Sequence, residues 1–330
     1  MNAATAAYLG RIAFGPPQTH RNIVVFPLLG PDAGPAPYLT LSEALAGHCV
    51  IVTEASEGGS VPELKVISQS DRPILLLDGE ELVGAKQNRV LNTTILLKER
   101  AETTIPVSCV EQGRWSYASA HFADSGAVMS RKSRASKVRS VSESLAAGAH
   151  YSSDQGEVWR EVAALACSAG VNSPTHAMQD VFKARAAELE ACARVLAPTA
   201  GQTGLFVVID GEVAGFDFIA HADAYAKLHP KLLKSYVIGA LIEPKPGAVE
   251  VAKAAAAAQA FLHEAGESDE KAFESVGYGR DYRYQKPGLA GSALVHEDRV
   301  VHMAFFRLPK GESAGSSMAS LRQRRRRFSE

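Results

Sequence analysis

The chain has 330 residues and weighs 35.1 kDa, with 46% hydrophobic and 22% charged residues, which are ordinary globular values. Lysine and arginine total 35 against 36 aspartates and glutamates, a formal charge of −1. These values exclude a disordered, a collagen-like and a uniformly basic chain, and they allow one large domain or two ordinary ones. The charge is unevenly spread. Residues 313–330 hold five arginines (Arg322, Arg324, Arg325, Arg326, Arg327) and one acid, a net +4 that leaves −5 on the rest. A second basic stretch holds Arg131, Lys132, Arg134, Lys137 and Arg139 with no acid between them.

No segment reaches the ~18 uninterrupted apolar residues of a membrane span. Residues 1–11 show no secretory pattern. Cys49, Cys109, Cys167 and Cys192 are scattered and form no C-x-x-C pair, so neither a disulfide framework nor a zinc ribbon is expected. The expectation is a reduced, cytoplasmic protein without membrane partners.

In chain order, Ile23–Leu29 reads as a strand that runs into a Gly/Pro-rich loop. Thr40, with Glu43 three residues on, is a capping box that opens a short helix. His48–Thr53 reads as a strand. The apolar run Ile74–Leu77 meets Asp78-Gly79, a hairpin signal, with Leu82–Ala85 as the return strand. The same pattern recurs at Leu205–Ile209, Asp210-Gly211 and Glu212–Phe216. A looser copy is Ala293–His296, Glu297-Asp298 and Arg299–Phe306, so an internal repeat of hairpins is expected. Ser130–Ser153, rich in Ser, Ala and basic residues, reads as a flexible basic loop. Helices are expected over 156–168, 177–196, around Tyr225–Tyr236 with Pro230 as a candidate break, and over the Ala-rich 249–265. The absence of a regular βαβ rhythm favours α+β, with a mixed or antiparallel sheet packed against helices. The expected layout is one domain over 1–312 and a disordered Arg-rich tail over 313–330.

Phosphate-loop, dinucleotide, zinc-protease and nucleophile-elbow signatures are absent. The dense polar stretch is Glu80-Glu81, then Lys86-Gln87-Asn88-Arg89, then Asn92. Arginine and amides can fork onto a phosphate, a carboxylate or a base edge. Carboxylates can serve as acid, base or ligand to a divalent cation. Equally, Glu80 and Glu81 could be turn residues and Lys86 a solvated one. A second stretch alternates so that Val107, Cys109 and Glu111 share a strand face. A glycine turn then brings in Arg114 and Trp115. Glu111 and Arg114 could simply pair with each other. Trp115 could stack on a ring or fill the core, the commoner role. Cys109 reads as a buried, inert thiol.

Asp78–Arg89, Cys109–Trp115, Gln155–Trp159 and Leu232–Tyr236, as they stand here, resemble the ARG and rhodanese-phosphatase-superfamily-associated protein domain family over most of residues 20–310. The resemblance implies a context of ADP-ribosylglycohydrolases and phosphatase-like proteins, hence binding or processing of ADP-ribose or an NAD-derived phosphorylated nucleotide. It carries over Glu80, Glu81 and Glu111 as candidate acid/base groups. Lys86, Gln87, Asn88, Arg89, Arg114 and Trp115 carry over as ligand-binding positions, and Asn92 joins them from the polar stretch. The alternative is a non-catalytic scaffold in which the same residues pin strands together. The tail could attract nucleic acid or an acidic partner, but it lacks interleaved aromatics. The cofactor, beyond a possible divalent cation, and the oligomeric state stay open.

Overall fold

The computed structural model describes residues 1–31, 34–56, 58–243 and 249–308. The expected tail and the end of the 1–312 span lie outside them. The chain runs α1 (Ala3–Leu9), β1 (Ala13–Phe14), β2 (Gln18–His20), β3 (Ile23–Leu29), β4 (Leu39–Thr40), α2 (Leu41–Ala46), β5 (Val50–Glu54) and β6 (Glu63–Ser68). It continues through β7 (Ile74–Leu76), β8 (Glu80–Gly84), β9 (Arg89–Leu91), β10 (Ile95–Leu97), β11 (Glu102–Cys109), β12 (Phe122–Val128), α3 (Arg131–Ala146), α4 (Gln155–Ala169), α5 (Met178–Ala184) and α6 (Ala186–Val195). Then come β13 (Gly204–Ile209), β14 (Glu212–Ile219), α7 (Ala222–Ile242), α8 (Val251–Gly266), β15 (Asp269–Glu274), β16 (Arg280–Lys286), β17 (Leu289–His296) and β18 (Arg299–Arg307). The fold is α+β.

Nine strands form one sheet, ordered β1-β3-β13-β14-β18-β17-β16-β15, with β2 also on β3. Both its faces are buried. Val24, Phe26, Phe206, Phe216 and Phe305 pack toward α1 and α8, where Ala254, Ala258 and Phe261 meet them. Ile23, Val25, Leu205 and Val207 face the opposite core with α3 to α7. This two-sided burial explains why β3 and β13 read as continuous apolar runs rather than alternating ones. A second sheet, ordered β12-β8-β9-β11-β6-β5, curls into a half-barrel until β12 lies against β5. Its core holds Val52, Leu64, Val66, Leu82, Leu91 and Val107. The three-stranded sheet β10-β7-β4 contributes Ile74, Leu76 and Ile95 to that core. The described residues of the connections after β5, β8 and β11, namely 55–56 with 58–62, 85–88 and 110–121, gather at one end of the half-barrel.

Thr40 caps α2 as its sequence predicts. Its hydroxyl accepts the Glu43 N–H, and Glu43 accepts the Thr40 N–H at 3.0 Å. Four expectations about the elements need correction. The basic loop over 130–153 is largely helix: α3 spans Arg131–Ala146 behind a Ser130 cap. Most of its buried side chains are polar, among them Ser133, Arg134, Ser136 and Lys137. Hydrophobic periodicity cannot register a helix buried through its charges. The helix expected over 177–196 is interrupted at Arg185, giving α5 and α6, while α7 continues through Pro230.

The first Asp-Gly pair does not close a hairpin. β7 pairs with β10 and β4, while β8 pairs with β9 and β12, so Asp78-Gly79 carries the chain from one sheet to the next. Gly79 sits at φ 81°, and a Cβ there would meet Arg134 Cγ at 3.1 Å, so both conformation and space call for glycine. The other two copies are hairpins, β13–β14 and β17–β18. Both residues of each turn have positive φ: Asp210 and Gly211, Glu297 and Asp298. That is the turn sense that matches strand twist.

Candidate functional site

The end of the half-barrel is organised by Arg114. Its Nε and Nη2 contact the two Glu111 oxygens at 2.9 and 2.6 Å. Nη1 donates to the Ala85 and Ser116 carbonyls, and Nη2 to Gly84 O and Asn88 Oδ1. Glu111 also accepts the Asn88 N–H at 3.0 Å and the Thr175 hydroxyl at 2.8 Å. Gln87 Nε2 donates to the Glu111 carbonyl at 3.1 Å. Burial works to raise the Glu111 carboxyl, but the hydrogen bonds from Arg114, Thr175 and the Asn88 amide outweigh it and hold it below the usual range. Arg114, Glu111 and Asn88 therefore clamp the β8–β9 turn to the end of β11. Gln155 of the third motif fixes the same strand end, since its amide exchanges two 2.8 Å hydrogen bonds with the Cys109 backbone.

Arg89 differs. Leu82, Arg89 and Cys109 are in register across β8, β9 and β11, so Arg89 sits on the inner face, 0% exposed. Nη1 donates to Gln87 Oε1 at 2.8 Å, while Nε and Nη2 are buried without a hydrogen-bond partner. Burial, with Arg114 adding to it, pulls the guanidinium below its ordinary pKa, against the smaller opposing effects of the Cys109 thiol and the Glu54 carboxylate; Cys109 acts on it without closing a hydrogen bond of good geometry. Its Cζ lies 5.7 Å from the Trp115 ring centre. Glu54, at the end of β5, accepts the Lys86 N–H through Oε1 and leaves Oε2 buried without a partner. Nothing at Glu54 marks it in the sequence; only the curl of the sheet brings β5 to this end.

Trp115 does not fill the core. It is 50% exposed, with Tyr117 at 55% on the same loop, because the Gly113 turn lifts this segment off the strand. Lys86 Nζ donates to Gly58 O at 2.7 Å and stands 5.4 Å from the Trp115 ring and 5.1 Å from that of Tyr117. Lys86, Trp115 and the loop at Gly59 thus cover the end of the half-barrel above Arg89.

The three candidate carboxylates do not converge. Glu80 points to α7, where Lys231 Nζ is 2.8 Å away, and its other oxygen accepts the Leu77 N–H at 2.7 Å. Glu81, in register with Val90, faces the opposite side of the sheet from Arg89. It is 0% exposed and neither oxygen is hydrogen-bonded. Burial, with Glu111 and Asp180 adding to it, pushes the carboxyl up to about 8, against the smaller opposing effects of Ser125 and Lys183. Ser125 acts on it without closing a hydrogen bond of good geometry. Asn92 lies elsewhere again: it donates to Tyr151 O at 2.9 Å and accepts from Ser108 at 2.6 Å. Among the described residues no group of three or more His, Cys, Asp or Glu side chains is placed to hold a metal ion.

A second charged cluster escaped the sequence reading. Arg134 of α3 makes a two-pronged contact with Asp217 of β14, at 2.9 and 2.6 Å. Tyr236 donates to Asp217 at 2.7 Å, and His302 Nε2 lies 3.0 Å from it. Lys137 bonds to Asp78, and Arg283 to Asp281. Burial favours a neutral Asp217, but Arg134 and the hydrogen bond to His302 hold it well below the carboxylate range. The available signal was a single polar residue inside an apolar strand, as in Phe216-Asp217-Phe218.

No helix of the described residues is long and apolar enough to cross a membrane. No curated protein matches the chain, and no solved structure does. The family model of the ARG and Rhodanese-Phosphatase-superfamily-associated Protein domain matches residues 11–306, which span the half-barrel, its clamp and the interior charges alike, and the chain belongs to that family.

Proposed function

We propose that the protein binds a phosphorylated nucleotide-like ligand, ADP-ribose or a molecule derived from NAD, at the loop end of the half-barrel. One observation carries the reading: Arg89 holds two donor nitrogens in the interior with no acceptor. A buried guanidinium with two donors left without acceptors costs several kcal/mol, and a ligand at this end is one physical reason to keep it. An oxyanion that accepted both donors would compensate it. Lys86 adds a second cation, and Trp115 and Tyr117 offer exposed faces to a base or nicotinamide ring. Calorimetry on the full chain with ADP-ribose, NAD and inorganic phosphate tests this. Saturable binding that Arg89→Met abolishes is expected. Absence of heat and of thermal stabilisation with all three would overturn the reading.

The scaffold reading has its own observation. The Arg114 donors go to Glu111 and to the turn, so Arg114, Glu111, Asn88 and Gln87 serve position rather than contact. Their substitution should lower stability first and binding second. Glu80 is committed to Lys231, and Glu81 lies across the sheet, so the proposal is one of binding, with Glu81 as the carboxyl able to carry a proton near neutrality. Removing residues 313–330 should leave binding unchanged.

A further inference from the structure

The basic stretch at the start of α3 neutralises four of its five cations. Arg134 and Lys137 are paired in the interior; Arg139 meets Glu157 at 3.0 Å, and Lys132 lies 3.6 Å from Glu161. Arg131 is partly buried and makes no hydrogen bond or ion pair with any described residue. It borders a cavity of about 250 Å³ between α3, α4, α7 and the β13–β14 turn. Leu165, Ile209, Ala240 and Ile242 give that cavity an apolar wall. Its carboxylates do not answer Arg131. Glu161 is with Lys132, Asp210 accepts from Asn22 at 2.5 Å, and Glu243 is exposed, where water screens it.

The geometry points to a binding site for a small organic anion with an apolar body, its oxyanion head on the Arg131 fork and its body against Leu165, Ile209 and Ile242. A guanidinium suits a carboxylate or a phosphate ester because either accepts two parallel N–H groups. The volume suits a single-ring ligand, since cavities of about 150 Å³ admit benzene. The site lies on other elements than the half-barrel end and does not depend on a nucleotide binding there.

The full chain is titrated with benzoate and with phenyl phosphate, by calorimetry and thermal shift, with benzyl alcohol and benzylamine as uncharged and cationic counterparts. At least one anion should bind saturably, with the alcohol and the amine about tenfold weaker or more. Arg131→Gln should lose about tenfold or more. Ala164→Leu, which adds bulk on the exposed α4 side of the cavity and leaves Arg131 in place, should weaken binding too, and it keeps the test open if Arg131→Gln fails to fold. Arg89→Met, which removes the half-barrel site, should leave the Arg131-dependent part of the binding in place. No saturable binding of either anion up to about 10 mM, a value far above ordinary ligand affinities, would overturn the site. So would benzylamine binding as well as benzoate, or unchanged affinity in both pocket variants.

Discussion

Two regions of this molecule bury charge, and they treat it differently. In the interior, Arg134, Tyr236 and His302 converge on the Asp217 carboxylate, with Lys137–Asp78 beside it, and the Arg134 Nε and Asp78 Oδ2 atoms that make no hydrogen bond lie 3.6 Å apart as an ion pair. At the loop end of the half-barrel, Arg89 and Glu54 are buried too, yet each keeps polar atoms with neither a hydrogen bond nor an ion pair. The first arrangement compensates its desolvation from within the chain and so fixes how α3, β14 and β18 meet. The second leaves its cost standing. Burial alone therefore does not separate structure from function here; the fate of each donor and acceptor does.

The largest effect should come from breaking the compensated region. Arg134→Met leaves Asp217 and Asp78 in the interior without their guanidinium, and removing one partner of a buried pair costs about 3–5 kcal/mol. Urea denaturation should show that loss. A loss below about 1 kcal/mol, the range of exposed pairs, would mean that water reaches the cluster. Next is Glu81. Its carboxyl, pushed up to about 8, binds a proton in the folded chain that the unfolded chain releases near the ordinary value of 4.5. The folded state thus carries the extra proton between these values, and stability falls as pH rises through that window. The loss across it is on the order of 5 kcal/mol, since a tenfold change in proton affinity is worth about 1.4 kcal/mol. Glu81→Gln should flatten the pH dependence and raise stability at pH 8. An unaltered pH profile would show that the carboxyl is hydrated.

The sequence carried the α+β class, the capping box of α2, the turns at Asp210-Gly211 and Glu297-Asp298, and the Glu111–Arg114 pair, because each depends on neighbours a few residues apart. It could not reveal α3, whose helix is buried through Arg134, Lys137 and serines rather than through an apolar stripe. Nor could it show that Asp78-Gly79 joins two sheets, since a turn signal says where the chain bends and not what it pairs with next. The candidate site was half legible. Lys86, Arg89 and Trp115 do meet, while Glu80, Glu81 and Asn92 diverge because β8 and β9 alternate their side chains between two cores. Glu54 was invisible for the converse reason, being close only through the curl of the half-barrel.

The smaller effects concern the uncompensated region, and their sign is what matters. Arg89→Met removes an unpaired buried cation and should leave stability unchanged or raise it by about 1–2 kcal/mol, as apolar replacement of buried charge often does, while abolishing binding of the phosphorylated ligand. A destabilised variant would place Arg89 with Arg134 instead, as a structural charge. Trp115→Ala, on a half-exposed ring, should change stability by less than about 0.5 kcal/mol. It should weaken a ring-bearing ligand by about 1–3 kcal/mol, the usual worth of stacking on an aromatic platform, and leave inorganic phosphate unaffected. The chain has two tryptophans, so Trp159→Phe leaves Trp115 as the sole indole reporter. If the ligand passes between the ring and Arg89, it must break the contact at 5.7 Å, and the Trp115 emission should shift on titration with the same midpoint as the calorimetric heat. A titration with full heat and a silent Trp115 would place the ligand away from this end of the half-barrel.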